Sequence, residues 1–351
     1  MLIFNFEKMR YITFFLFFIL FIFFQGCSKV SNKVSNIVTV EKPSFDLHSF
    51  EKSDSIKISD LLIAPVNWAV KNDKIVMLSR KNRDYFLYVF SIPDFKLLYK
   101  YGNYGHGPNE FVFVNWLNMV NDNQIGLYDI PNKRMYTYDL NQDTLFINKL
   151  FEFRNFESGL APPYTFIHQI EGTMFIFKAD FKQYTEIELI NINNGEIIQN
   201  FRSLLKREKN ITTYIPYVFN ISTNKNIIVF AYNFINRIEL YRLNEEKLIE
   251  PFLIIGNQKD QADKSFNDYN VYYTDVHCNN SYIYALSQQG EKNEKIKNSS
   301  IEIYNLDGEP IKKITLDRHI QYFTLDDKNG VIYGNDSYVD FDYVYVYKID
   351  I

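Results

Sequence analysis

Short apolar runs alternate with Asn-, Asp- and Gly-rich turns along most of this chain, and the phrase repeats six times. The second run of each unit is anchored at Ile75, Ile125, Met174, Ile227, Tyr282 and Val331, at intervals of 50, 49, 53, 55 and 49 residues. β-type patterning at a period of about fifty predicts one supersecondary unit stacked repeatedly, as in a propeller. In the second unit Phe111 to Val120 reads as the innermost strand and Gln124 to Asp129 runs back from an Asn121-Asp122-Asn123 turn. Arg134 to Leu140 then alternates as a half-buried strand does, and Thr144 to Phe151 follows a second polar turn. Four antiparallel strands joined by short turns make one blade. The remaining third strands read YFLYVF from Tyr85, EIELIN from Glu186, RIELYR from Arg237, SIEIYN from Ser300 and DYVYVY from Asp342.

The sixth unit has no fourth strand before Ile351. An open edge exposes a row of unpaired backbone groups. Ser55 to Leu61, which alternates correctly and precedes the first unit, is expected to pair with the C-terminal strand and close the ring. The predicted fold is therefore all-β: a six-bladed β-propeller of four-stranded antiparallel blades over residues 44–351, forming one domain. In the fifth unit Gln288 to Asn298 is longer and charged, as a mobile hairpin tip would be.

The N-terminus has a different character. Tyr11 to Phe24 is apolar and follows Lys8 and Arg10. Such a run is short for a bilayer span, which takes about 20 residues, and fits the apolar region of a secretory signal. It ends at Gly26-Cys27, which resembles the lipobox of bacterial lipoproteins; Phe24 and Gln25 depart from that pattern. The resemblance implies a signal peptide over 1–26, lipidation at Cys27 and a membrane held through its acyl chains; the alternative is an uncleaved anchor. Residues 27–43 read as a polar tether. Cys278 is the only other cysteine, so no intramolecular disulfide is expected in the lipidated chain.

The most distinctive short motif is Gly102-Asn103-Tyr104-Gly105-His106-Gly107-Pro108-Asn109-Glu110-Phe111, at the crossing from the first unit to the second. It lacks the Gly-Lys-Ser/Thr and the following helix of a phosphate loop. The expected role is structural: glycines supply positive φ angles for a sharp crossing and Glu110 accepts local amides, leaving Tyr104 and His106 to project at the mouth of the ring. A fainter echo runs from Gly256-Asn257 to Ser265-Phe266. This motif, on fifty-residue repeats behind a lipobox, resembles the TolB-like six-bladed β-propeller lipoproteins of Bacteroidota. The resemblance implies fold and location rather than a reaction. In such lipoproteins acidic residues just after the cysteine favour the cell surface; here none occurs before Glu41, which implies the periplasmic side.

Composition adds exclusions. The 38 basic and 42 acidic residues give a net charge of −4 without any run of five like charges, so no nucleic-acid groove is expected. The 27 tyrosines and 32 phenylalanines are accounted for by sheet filling. The histidines, His48, His106, His168, His277 and His319, form no metal-ligand pair, although His168, His277 and His319 lie on or beside first strands. Asp336, Asp340 and Asp342 read as a solvated turn, and no G-x-S-x-G elbow is present. Neither a metal nor a cofactor is expected. Trp68 and Trp116, on first strands, either line a pocket with Tyr217, Tyr273 and Tyr322 or pack the inner ring. The candidate ligand residues are Trp68, Tyr104, His106, Glu110, Trp116, His168, Tyr217 and Tyr273. The function expected is a monomeric, lipid-anchored, non-enzymatic binding or scaffold propeller that meets a protein or glycan at one mouth. The alternatives are a lyase or hydrolase using the axial channel, and a glycan-binding component of a saccharide-uptake system.

Overall fold

The computed structural model describes residues 37–59, 65–79, 84–107, 110–121, 123–129, 134–152, 167–170, 173–179, 185–191, 196–204, 219–224, 226–256, 270–288, 298–336 and 339–351. Cys27 and the N-terminal apolar run lie outside them. No helix occurs among the described residues.

Three strands precede the first blade: β1 (Val38–Val40), β2 (His48–Glu51) and β3 (Asp54–Lys57). Blade 1 contains β4 (Pro65–Lys71), β5 (Lys74–Ser79), β6 (Leu87–Ser91) and β7 (Leu97–Tyr101), and the crossing to blade 2 adds β8 (Asn103–Tyr104) and β9 (Glu110–Phe111). Blade 2 follows with β10 (Val114–Asn121), β11 (Gln124–Asp129), β12 (Arg134–Asp139) and β13 (Thr144–Glu152). Blade 3 is β14 (Ile167–Ile170), β15 (Thr173–Ala179), β16 (Thr185–Asn191) and β17 (Ile197–Arg202). In blade 4 come β18 (Phe219–Asn224), β19 (Ile227–Tyr232), β20 (Ile238–Leu243) and β21 (Ile249–Ile255). Blade 5 has β22 (Tyr273–Cys278), β23 (Tyr282–Ser287), β24 (Ser300–Asn305) and β25 (Pro310–Leu316); blade 6 has β26 (Tyr322–Asp326), β27 (Val331–Asp336) and β28 (Asp340–Lys348). Each of the six anchors of the repeat falls in the second strand of its blade. The first strands neighbour one another in sequence, β26 returning to β4, so the ring closes.

The N-terminal segment completes this ring. β3 runs antiparallel along β28, with Lys57 opposite Tyr343 and Asp54 opposite Val346, and so becomes the missing fourth strand of blade 6. The segment does more than the sequence suggested. β1 adds in parallel to β21, and β2 adds in parallel to β25, giving blades 4 and 5 a fifth strand. Among the described residues, strand pairing therefore starts at Val38, inside the stretch read as tether.

Side chains of a strand alternate between its two faces, and in a ring both faces meet a neighbouring blade. Val76 and Leu78 pack toward blade 2, whereas Ile75 and Met77 pack toward blade 6. The described core accordingly divides into clusters between blades, with Ile187 and Leu189 against blade 4, Val229 and Ala231 against blade 5, and Leu286 and Ile301 against blade 6. Tyr138, Tyr241, Tyr304 and Tyr347 occupy equivalent third-strand positions and are fully buried. Burial pushes each phenol well above its ordinary value.

Antiparallel order gives the ring two unlike faces. One holds the turns between first and second and between third and fourth strands. These are short and closed by side chains: Asp139, Asn244, Asn279 and Asn305 each accept two nearby backbone amides. The opposite face holds the crossings between blades and the loops between second and third strands. It is here that Ser79, Asp129, Ser287, Gln288, Ser299, Asn335 and Asp336 are buried at or just beyond strand ends.

Candidate functional site

The Gly102–Phe111 crossing lies on this loop face. β8 and β9 pair in parallel, Asn103 opposite Glu110 and Tyr104 opposite Phe111, so the crossing is a small sheet of its own. Glu110 bends back, its Oε2 accepting the Gly107 amide at 2.7 Å, while the Gly105 amide donates to the Phe111 carbonyl at 3.0 Å. Of the three glycines, Gly102 alone has the positive φ expected, +78°. Gly105 and Gly107 instead leave room for Glu110 in this position: a Cβ on them would lie 2.0 and 2.9 Å from its Oε2. Phe111 is buried against Phe86 and Tyr136, which fixes the base of the loop. Tyr104 leans on Phe86 yet stays 59% exposed, and His106 is exposed beside it. Asp129, wholly buried, accepts the amides of Val112 and Phe113 and ties the crossing to blade 2. The equivalent Gly256 of the echo has φ +76°, and a Cβ there would meet the Asn236 carbonyl; residues 257–269 are outside the described part.

Nearer the axis, Asp275 on β22 reaches to the next blade, Oδ2 accepting the Phe323 amide at 3.0 Å. His277 stands over Phe323, ring centroids 4.5 Å apart, with Nε2 3.6 Å from Asp275 Oδ2. At the crossing into blade 6, His319 Nδ1 meets Asp336 Oδ2 at 2.6 Å, and Asp336 Oδ1 accepts the Val339 amide at 3.0 Å. Asp336 is therefore a buried partner and not part of a solvated turn. Asp340 bonds the Tyr345 hydroxyl. Among the described residues no three His, Cys, Asp or Glu side chains converge as a metal cluster. Gln288, first residue of the blade 5 insertion, is also buried, its amide bonded to the Ile320 carbonyl and to Thr274 Oγ1; Ser299 closes the other end. Residues 289–297 lie outside the described part. Cys278 sits on β22, where burial and then the charge of Asp327 push its thiol up to about 12.

The remaining sequence candidates separate. Trp68 is 6% exposed within the core between blades 1 and 6. A glycan-stacking platform requires an exposed ring, which Trp68 does not offer. Tyr273 is buried too, its hydroxyl 3.1 Å from Glu302. Trp116 and His168 are located only as positions on β10 and β14, and Tyr217 lies outside the described residues.

Two wholly buried glutamates were also not foreseen. Glu239 and Glu302 occupy equivalent third-strand positions, and both are 0% exposed. Glu239 receives Arg237 at 2.7 Å and the Tyr241 hydroxyl at 2.5 Å. Glu302 receives the hydroxyls of Tyr304 at 2.9 Å and Tyr273 at 3.1 Å. Its cation, Lys42 at 2.8 Å, comes from the N-terminal segment. The shared Ile-Glu-Leu/Ile-Tyr string was visible in the sequence, but alternation alone reads its glutamate as facing solvent.

The chain matches the family model of TolB-like 6-blade propeller-like proteins over residues 44–328. Among solved structures, a candidate exported protein of Bacteroides fragilis NCTC 9343 superposes with a TM-score of 0.55 at 13% identity, covering 90% of this chain and 100% of that one. A member of the DUF4221 family from Bacteroides vulgatus gives 0.57 at 12% identity, with 86% and 96% covered. The calcium-binding protein regucalcin from Agrobacterium tumefaciens gives 0.50 at 10% identity, with 86% and 95% covered. At these identities the likeness is one of fold. No curated protein matches the chain in sequence.

Proposed function

The chain belongs to the TolB-like six-bladed propeller family, and on that premise we propose a non-enzymatic binding or scaffold protein, held by lipid on Cys27 at the periplasmic side of a bacterial membrane. The observation that carries the binding reading is the contrast at the Gly102–Phe111 crossing. Its frame is fixed by Glu110 and Phe111, whereas Tyr104 and His106 stand out from it. An aromatic ring and an imidazole presented from a braced frame fit recognition of a protein surface, because little entropy is lost when the partner docks. The location rests on the Gly26-Cys27 motif and agrees with the description of the Bacteroides fragilis neighbour as exported.

Photo-crosslinking in cells tests this directly. A crosslinker at Tyr104 is expected to trap a discrete partner, and one at Ser281, exposed on the turn face, is not. Equal capture from both faces, or none from Tyr104, contradicts the reading. Anchoring is tested separately: Cys27→Ala should move the protein from the membrane to the soluble fraction, and retention on the membrane contradicts lipidation.

A further inference from the structure

The seam between blades 4 and 5 is occupied by the chain's own residues 38–45, and three separate handles hold them. Val38, Thr39 and Val40 pair in parallel with Leu253, Ile254 and Ile255, and the Gly256 amide closes the ladder on the Val40 carbonyl at 2.9 Å. Two residues on, Lys42 turns inward, its Nζ 2.8 Å from Glu302 Oε1 and 5.1 Å above the Tyr273 ring. Phe45 then fills a buried site edge-on to Tyr304, ring centroids 5.3 Å apart.

The receiving side owes little to the segment that fills it. Tyr273 and Tyr304, both from blade 5, donate their hydroxyls to Glu302, so the carboxylate is set in place by its own blade. Blade 4 solves the same problem locally, since Arg237 lies two residues before Glu239. The residue two before Glu302 is Ser300, which brings no charge. Lys313 stands 3.7 Å away, farther than Lys42. Lys313, opposite Glu302 on β25, gives the carboxylate one cation from its own blade, and the nearer one is Lys42 of the N-terminal segment. The occupying segment, for its part, is only partly covered: Val40, Lys42, Pro43 and Phe45 are turned in or half-buried, whereas Thr39 and Ser44 are exposed. Val38 is 55% exposed and Glu41 faces solvent.

We propose that this seam is a peptide-binding groove. Its ligand class is an extended segment that adds a parallel strand, presents a lysine two residues after that strand and an aromatic ring three residues after the lysine. In the resting protein residues 38–45 fill it in cis. Strand addition supplies affinity without sequence demands, and the buried carboxylate and aromatic site select the lysine and the ring. A segment held at an edge opens more readily than the blades behind it.

The probe is a synthetic peptide of residues 37–46, titrated into the full-length chain carrying K42A and F45A, which weakens the resident segment. Saturable binding and a raised melting temperature are expected. Binding should weaken about ten-fold or more when the peptide carries K42M or the protein additionally carries E302Q, as loss of a buried charge pair requires. No binding to the folded variant, or equal binding by native and K42M peptides, overturns the proposal. If the double variant does not fold, K42M alone serves as receptor. Hydrogen exchange of the wild-type chain gives a second readout: the amides that close the β1–β21 ladder should exchange about a hundred-fold faster than those of Ile283–Leu286. Exchange of both only on global unfolding overturns it as well.

Discussion

Blades 4 and 5 bury the same glutamate at the same third-strand position, yet neutralise it from different sources. In blade 4 the cation is local, Arg237, and the neighbouring blade adds the Leu204 amide. In blade 5 the nearest cation is Lys42, more than 250 residues away in the chain. Blade 6 shows the same dependence in its backbone, because its fourth strand is β3. The N-terminal segment is thus part of the propeller: it supplies a strand to one blade, a charge to another, and edge cover to blades 4 and 5. A stack of similar units can lose a component from one unit if another segment restores it.

Substitutions and truncations that act on one blade and not the other separate the two solutions. The largest effect is expected from removing residues 342–351. That takes most of β28 from blade 6 and leaves β3 without a partner, so cooperative unfolding in denaturant should disappear; a truncated chain that melts like the full one would refute closure. Arg237→Met comes next, at about 3–5 kcal/mol, since it leaves a buried carboxylate without its cation. Lys42→Met should cost less, about 2–3 kcal/mol, because Lys313 remains 3.7 Å from Glu302. Adding Ser300→Arg to Lys42→Met should recover part of that loss by giving blade 5 the local cation of blade 4. No recovery would mean that the two sites are not equivalent.

The smallest effect belongs to the turn face, at an ordinary partly exposed contact between blades 1 and 2. Asp143 Oδ1 receives Lys74 at 2.7 Å and the Tyr138 hydroxyl at 2.9 Å. Burial opposes the charge, but these bonds hold its carboxyl below the ordinary value of 3.8. Its contribution is present above that value and is lost as pH falls through the lower folded value. Asp143→Asn should therefore cost about 1 kcal/mol or less near neutral pH, with the difference vanishing in acid.

The turn face and the strand order were legible in the sequence because they repeat. Six anchors at near-constant spacing mark the second strands, and Asn and Asp mark the turns. The closing strand was legible because Ser55–Lys57 alternates and blade 6 visibly lacks a partner. What escaped the pattern is non-periodic. Val38-Thr39-Val40 is too short to stand apart from a polar tether, and parallel edge pairing leaves no turn signal. Glu302 alternates with Ile301 and Ile303 as a solvent-facing residue would, but both faces of an inner blade are covered. At the crossing, Gly105 and Gly107 suggested unusual backbone angles, whereas what they provide is room for the Glu110 carboxylate. Trp68 and Tyr273 looked equally suited to a pocket wall and to packing, and only the three-dimensional neighbours distinguish the two.

The most direct test of an imported charge is a double-mutant cycle between Lys42 and Glu302, with Lys42→Met, Glu302→Gln and the double variant unfolded in denaturant. A coupling energy of about 2 kcal/mol or more is predicted, since each single variant leaves one member of the buried pair without its nearest partner and the double variant removes both. Additivity to within about 0.5 kcal/mol would show that Lys42 and Glu302 act independently, and would contradict the account.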